Sequence, residues 1–213
     1  MRKLILHLFA DTGSDSQPYR KDPRYRVLTI GSDIGVENIK GTDFGPVHGV
    51  ILNPICREFS PARYGNYFGG GERLGGDVDE GMKLVYEGMR VVDEANPRWW
   101  VMENPAAGRL RDFVGPPNHS YQPWQYGSPW TKRTGLWGSF NMPEPVYDRW
   151  EDVPKLDLYA RPGRKPSLAF MHKSAFALIP EFRDSGMPTP DTDMEFRSLC
   201  SQRFAQAFKE VNP

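Results

Sequence analysis

The chain is poor in the residues that build disulfide frameworks: among 213 residues there are two cysteines, Cys56 and Cys200. Two thiols staple nothing, and they point to a reducing, cytoplasmic setting. No apolar run approaches the length of a membrane-spanning helix, so no membrane partner is expected. The opening Met1-Arg2-Lys3-Leu4-Ile5-Leu6 has the charge of a secretory leader, but His7 and Asp11 interrupt it and it reads as a first strand. A surplus of one charge is also missing, because 27 Lys+Arg balance 27 Asp+Glu. Net attraction is thereby excluded as a source of polyanion binding, and any nucleic-acid contact must come from a local basic face. There is no internal repeat, which excludes a solenoid, and no metal is expected.

Glycine (21) and proline (20) are plentiful, predicting long, shaped loops in a chain of ordinary hydrophobic (38%) and charged (25%) content. The length suits one α/β domain and is tight for two. Residues 3–9 read as a buried strand running into the turn Ala10-Asp11-Thr12-Gly13-Ser14. Ser14 or Ser16 caps a brief helix with Pro18 in its first turn, and Pro23 ends it. Strands follow at 25–30 and 47–52. A helix capped by Asp77 or Asp79 runs to about Ala95, with Met82, Val85, Met89 and Val92 on one face. Arg98 to Met102 is a strand with Glu103-Asn104-Pro105 at its exit. Further strands are expected around 119–125 and 135–140, and Ser201 caps a last helix to Val211 with Phe204, Ala207, Phe208 and Val211 inward. Alternating strands and helices predict a mostly parallel α/β sheet, where ligands collect at the carboxyl edge.

Four segments at strand ends carry chemistry. The Phe9-to-Gly13 turn lets backbone approach a cofactor closely, although a lone glycine turn is usually just a turn. Asp33 stands where α/β nucleotide folds place an acid for ribose hydroxyls. Cys56, in Asn53-Pro54-Ile55-Cys56-Arg57-Glu58-Phe59-Ser60, is an exposed-loop nucleophile candidate, while lone cysteines are more often inert core. Glu103 can protonate a ring nitrogen, or it can simply form a turn. Their joint order is what carries weight.

That order resembles the DNA cytosine-C5 methyltransferases, above all their short, phage-type members. Gln125-Tyr126-Gly127 to Lys132-Arg133-Thr134-Gly135-Leu136-Trp137-Gly138 and Phe196-Arg197-Ser198-Leu199-Cys200 are similar to further family segments. The resemblance implies a Rossmann-like class I methyltransferase fold, helices on both sheet faces, with S-adenosylmethionine as cofactor. It implies Phe9, Asp11, Thr12, Gly13, Asp33 and Pro54 at the cofactor. It makes Cys56 the nucleophile that adds to C6 of cytosine and Glu103 its partner at N3, with Arg133 beside them. Ser60, Asn104, Pro105 and Lys132 would bind substrate. DNA, duplex or single strand, is the implied partner, met by a monomer or with a specificity subunit.

Three departures stand out. Ile55 replaces the proline that usually precedes the nucleophile, and proline helps aim the next side chain. Asp11 occupies a position usually small. Residues 1–213 read as one methyltransferase domain, leaving only 143–190 as a small insertion or reduced target-recognition segment; it contains Arg161, Arg164, Lys165, His172 and Lys173. Two alternatives therefore stay open: a catalytically silent methyltransferase-like protein that binds nucleic acid or a partner, and one-carbon transfer to another pyrimidine.

Overall fold

The computed structural model describes residues 2–10, 12–31, 35–56, 59 and 78–213. They gather into two compact units through which the chain weaves. The first takes Met1–Ala10, Arg24–Ser120 and Thr134–Phe140; the second takes Asp11–Pro23, Tyr121–Arg133 and Asn141–Pro213. The segment 143–190 lies inside the second unit.

The first unit is built on a six-stranded sheet, formed by β1 (Lys3–Leu8), β2 (Tyr25–Ile30), β3 (Val47–Leu52), β4 (Trp99–Pro105), β5 (His119–Tyr121) and β6 (Thr134–Ser139), in the order β2-β1-β3-β4-β6-β5. Tyr121, at the end of β5, is assigned to the second unit. β3 is buried along its whole length, as a central parallel strand covered on both sides must be. β1 pairs in parallel with β2 and β3, and β3 with β4. β6 runs antiparallel to β4. The chain leaves β1 toward one side for β2 and returns on the other side as β3. The β1/β3 boundary is thus a switch point, where the connections out of two neighbouring strands leave in opposite directions, although the strands themselves stay paired to Leu8 and Leu52. The strands build the expected mostly parallel α/β class.

One sheet face carries Leu6, Leu8, Val50, Leu52 and Met102 into a core closed by the helix Val78–Ala95. That helix buries Gly81, Met82, Val85, Gly88, Val91 and Val92. Met89 is only partly buried, because the stripe follows the glycines that let the helix approach the sheet. Gly88 shows this directly: a Cβ there would lie 2.7 Å from Leu52 Cδ2 and 3.0 Å from Phe9 Cε2.

Two expected boundaries shift. β4 does not stop at Met102: its pairing with β3 ends there, but Glu103, Asn104 and Pro105 continue opposite Leu136, Gly135 and Thr134 of β6. β5 ends at Tyr121 rather than near Gln125, since Pro123 has no N–H for a ladder and opens a 3-10 turn over Pro123–Tyr126.

The second unit has little regular structure. Its helices are Gln17–Arg20, Pro180–Arg183, Asp193–Ser198 and Gln202–Val211, joined by 3-10 turns. Trp130, Phe176, Phe182 and Phe196 centre its main core, with Leu168 and Ile179 beside them. Tyr121 stacks on Phe204 at 3.7 Å between ring centroids. Ser201 caps the last helix as expected, accepting from the Phe204 N–H. Ala205, not Ala207, is the alanine this helix buries. Among the described residues no helix is long and apolar enough to cross a membrane.

Candidate functional site

The carboxyl ends of β1, β3 and β4 bring a polar line together in the first unit. His7, 1% exposed, shares a 2.5 Å hydrogen bond between Nε2 and Asn53 Oδ1. The Asn53 Nδ2 in turn donates to Glu103 Oε2 at 3.5 Å. Because the amide donates to the carboxylate, its oxygen accepts, which makes His7 Nε2 the protonated nitrogen. Three adjacent strands are thereby linked to the Glu103 carboxylate.

Next to this line, Asn104 is fully buried and its Nδ2 donates to the Pro54 carbonyl at 3.0 Å. Its Oδ1 has no hydrogen-bond partner among the described residues. The segment leading to Cys56 is thus fastened to β4 through a side chain, where β3 no longer pairs with it. Cys56 is exposed, as is Ile55 at 44%. The Phe59 N–H donates to the Cys56 carbonyl at 3.0 Å. Phe59 is fully buried in the sheet–helix core and its carbonyl accepts from the Arg109 N–H at 2.8 Å. Gly108 makes room for this contact: a Cβ there would lie 2.7 Å from the Phe59 oxygen. An exposed cysteine is therefore tied through its carbonyl to a residue anchored in the core.

Phe9 has φ 56, a left-handed conformation that bulky residues rarely adopt. Its ring is buried against Gly88 at the switch point. Pro54 is buried and Pro105 half-buried. Downstream of β2, a clip ties the loop to the long helix. Arg90 Nη2 donates to the carbonyls of Val36 and Ile39, while its other nitrogens meet Glu87 and Glu94 at 2.8 Å each. Glu94 also accepts from the Gly41 N–H at 2.8 Å. The Arg90 hydrogen bond holds the Glu94 carboxyl below its usual range, and the Gly41 N–H adds to the effect.

The other expected residues lie elsewhere. Asp11, Asp33 and Ser60 fall outside the described residues. Thr12, Gly13, Lys132 and Arg133 belong to the second unit. There Gly13 is left-handed with φ 67, and Thr12 Oγ1 donates to Ser14 Oγ at 3.2 Å. The Lys132 ammonium donates to the carbonyls of Ser198 and Leu199 at 2.8 and 3.0 Å, and Arg133 is exposed. Sequence reasoning missed His7, Asn53, Gly108 and the Arg90 clip. Asn53-Pro54 at a strand end was a usable signal; the partner of a buried histidine in another strand was not.

No protein-family model matches the chain. A solved E. coli prophage protein described as a "putative DNA modification methyltransferase" is 16% identical with a TM-score of 0.43, over 64% of this chain and 46% of that one. Over 84% of its length this chain is 24% identical to 98% of a Frog virus 3 (isolate Goorha) protein named "Probable DNA (cytosine-5)-methyltransferase". By nearly full-length comparison, then, the chain is similar to a protein named for the same family that the order of its strand-end motifs resembles.

Proposed function

We propose that this protein is an S-adenosylmethionine-dependent methyltransferase acting on C5 of cytosine in DNA. The observation that carries the proposal is the exposed Cys56, held through its carbonyl by the buried Phe59, with the Asn53-bridged Glu103 on the neighbouring strand. The viral relative, similar over almost its whole length, supports the same chemistry.

Cys56, as thiolate, adds to C6 of a cytosine brought out of its stack, forming a C–S bond and pushing electron density onto C5. Glu103 holds a proton at N3, which keeps the ring electrophilic while the thiolate attacks. Asn53 and the buried His7 keep that carboxyl in orientation. S-adenosylmethionine, when bound, would supply the methyl group to C5 as an electrophilic carbon and leave as S-adenosylhomocysteine. Of the first unit's residues, Phe9 and Pro54 would hold it, since both follow the carboxyl ends of β1 and β3 at the switch point of the sheet. A base then takes the C5 proton, the C5–C6 double bond re-forms and the Cys56 thiolate leaves, so the enzyme is restored.

DNA containing 5-fluorocytosine blocks that last proton loss and tests the scheme. In the presence of cofactor the full chain should form a covalent adduct that survives denaturation, and Cys56→Ser should form none. Absence of the adduct on every DNA offered, with cofactor bound, overturns the C5 mechanism. Ile55, in place of the aiming proline, favours the second reading, a silent methyltransferase-like binding protein. That reading predicts DNA or partner binding with no adduct.

A further inference from the structure

The second unit holds a cavity of about 600 Å³ remote in sequence from the strand-end motifs, walled by Tyr159, Arg161, Arg164, Lys165 and Phe170. Such a volume suits a ligand of nucleotide size. Its floor is well fixed. Thr131 and Ser167 form a parallel bridge, Thr131 Oγ1 donates to the Pro166 carbonyl at 3.1 Å, and the fully buried Leu168 donates its N–H to the Thr131 carbonyl. A turn closed by the Arg164 N–H on the Arg161 carbonyl, with Gly163 at φ 68, carries both arginines.

No carboxylate lines this cavity, and among the described residues Arg161, Arg164 and Lys165 form no ion pair. The cations lean on rings instead. The Arg161 guanidinium lies 3.7 Å from the Phe170 centroid, and the Lys165 ammonium is 5.4 Å from Trp124 and 5.2 Å from Trp150. In a chain with no net charge, three neighbouring cations left without anions mark a local site for an anion. Tyr159, 62% exposed, makes no ring contact among the described residues. An uncovered aromatic face beside unmatched cations recognises two things at once: a planar ring and a negative charge. Inorganic phosphate would not use the ring, and an acidic peptide would not need it.

We infer that this cavity binds one unpaired nucleotide of a DNA strand, with its base stacked on Tyr159 and its phosphates on Arg164 and Lys165. In a duplex both faces of each base are covered by neighbours, so the ring can engage only a base that has left the stack. The inference shares a DNA partner with the methyl-transfer reading, but it stands on residues of the second unit alone.

The test is fluorescence anisotropy with the full chain and three labelled probes: oligothymidine, an abasic strand of equal length, and a duplex. Wild type should bind oligothymidine tightest. Tyr159→Ala should weaken oligothymidine binding about fivefold or more and leave the abasic strand unchanged, with Tyr159→Phe restoring it. Arg164→Ala with Lys165→Ala should weaken both strands about tenfold and lower the salt slope by about 1.4, the single-strand value for two lost phosphate contacts. All these side chains are exposed, and circular dichroism checks that each variant is folded. The inference is overturned if wild type does not bind oligothymidine, if duplex or abasic strand binds as well, or if Tyr159→Ala affects both strands alike. If adduct formation succeeds while these variants bind as wild type, the cavity assignment alone fails. If no adduct forms yet the variants lose oligothymidine, the C5 mechanism alone fails.

Discussion

The first unit buries aliphatic side chains between a sheet and a long helix, and its backbone groups are satisfied largely by the strand ladder. The second unit buries rings, and short helices broken by proline leave many backbone groups for side chains to satisfy. Asn212 alone donates to the Asn141 and Phe208 carbonyls and accepts from the Asn141 N–H. Ser201 accepts from the Phe204 N–H and meets Ser128 Oγ at 2.7 Å, while Glu181 accepts from Ser128 Oγ at 2.6 Å and from the Arg203 N–H at 3.0 Å. The difference teaches where each unit is vulnerable. Stability in the first depends on steric fit, and in the second on rings together with a few polar side chains.

The severest test is Phe182→Ala, which removes the ring between Trp130, Phe176 and Phe196. Urea denaturation should show a loss of about 3–5 kcal/mol, and a loss under about 1 would break the claim that rings carry the second unit. Gly108→Ala probes steric fit in the first unit. The added methyl displaces the Phe59 carbonyl and should cost about 1–3 kcal/mol. Because Phe59 also donates its N–H to the Cys56 carbonyl, the rate of adduct formation should drop as well; a stable variant with an unchanged rate would show that Phe59 does not aim the thiol. Ser201→Ala should cost about 1–2 kcal/mol by deleting a helix cap. A neutral result there would erase the polar half of the comparison.

The smallest effect is a pH dependence. Burial pushes the Glu181 carboxyl above its ordinary range, although Ser128 and the Arg203 N–H pull the other way and the residue as a whole is partly exposed. A carboxyl with a raised folded-state pKa holds its proton longer when folded. Its contribution is fully present below the unfolded value and is lost as pH rises through the folded one. Wild type should therefore lose a little stability going upward from about pH 4.5, the ordinary value for the group. Glu181→Gln should remove that component from urea midpoints measured across the range.

Periodicity made the first unit largely legible. β2 and β3 were bounded to the residue and the long helix nearly so, because continuous apolar runs and a 3.6-residue stripe have few other readings. β4 was read short, since Pro105 looks like a terminator until the antiparallel β6 is known to pair with it. In the second unit the proline and tryptophan crowding signalled irregular structure but no topology. Motif order singled out Cys56, Glu103 and Asn104 as candidates, and the structure describes all three at the ends of β3 and β4. The His7–Asn53–Glu103 line was not, because it arises from strand adjacency, which a single sequence does not encode locally.

The weaving of the chain has a consequence for how such a protein can change over generations. The backbone passes between the units after residues 10, 23, 120, 133 and 140. Neither half is a contiguous stretch of gene, so no single recombination event can lift the second unit out and install another. A nonsense codon at 141 would strand 11–23 and 121–133 without their packing partners. Exchanging the whole second unit would require coordinated change in three separate stretches of the chain, 11–23, 121–133 and 141–213.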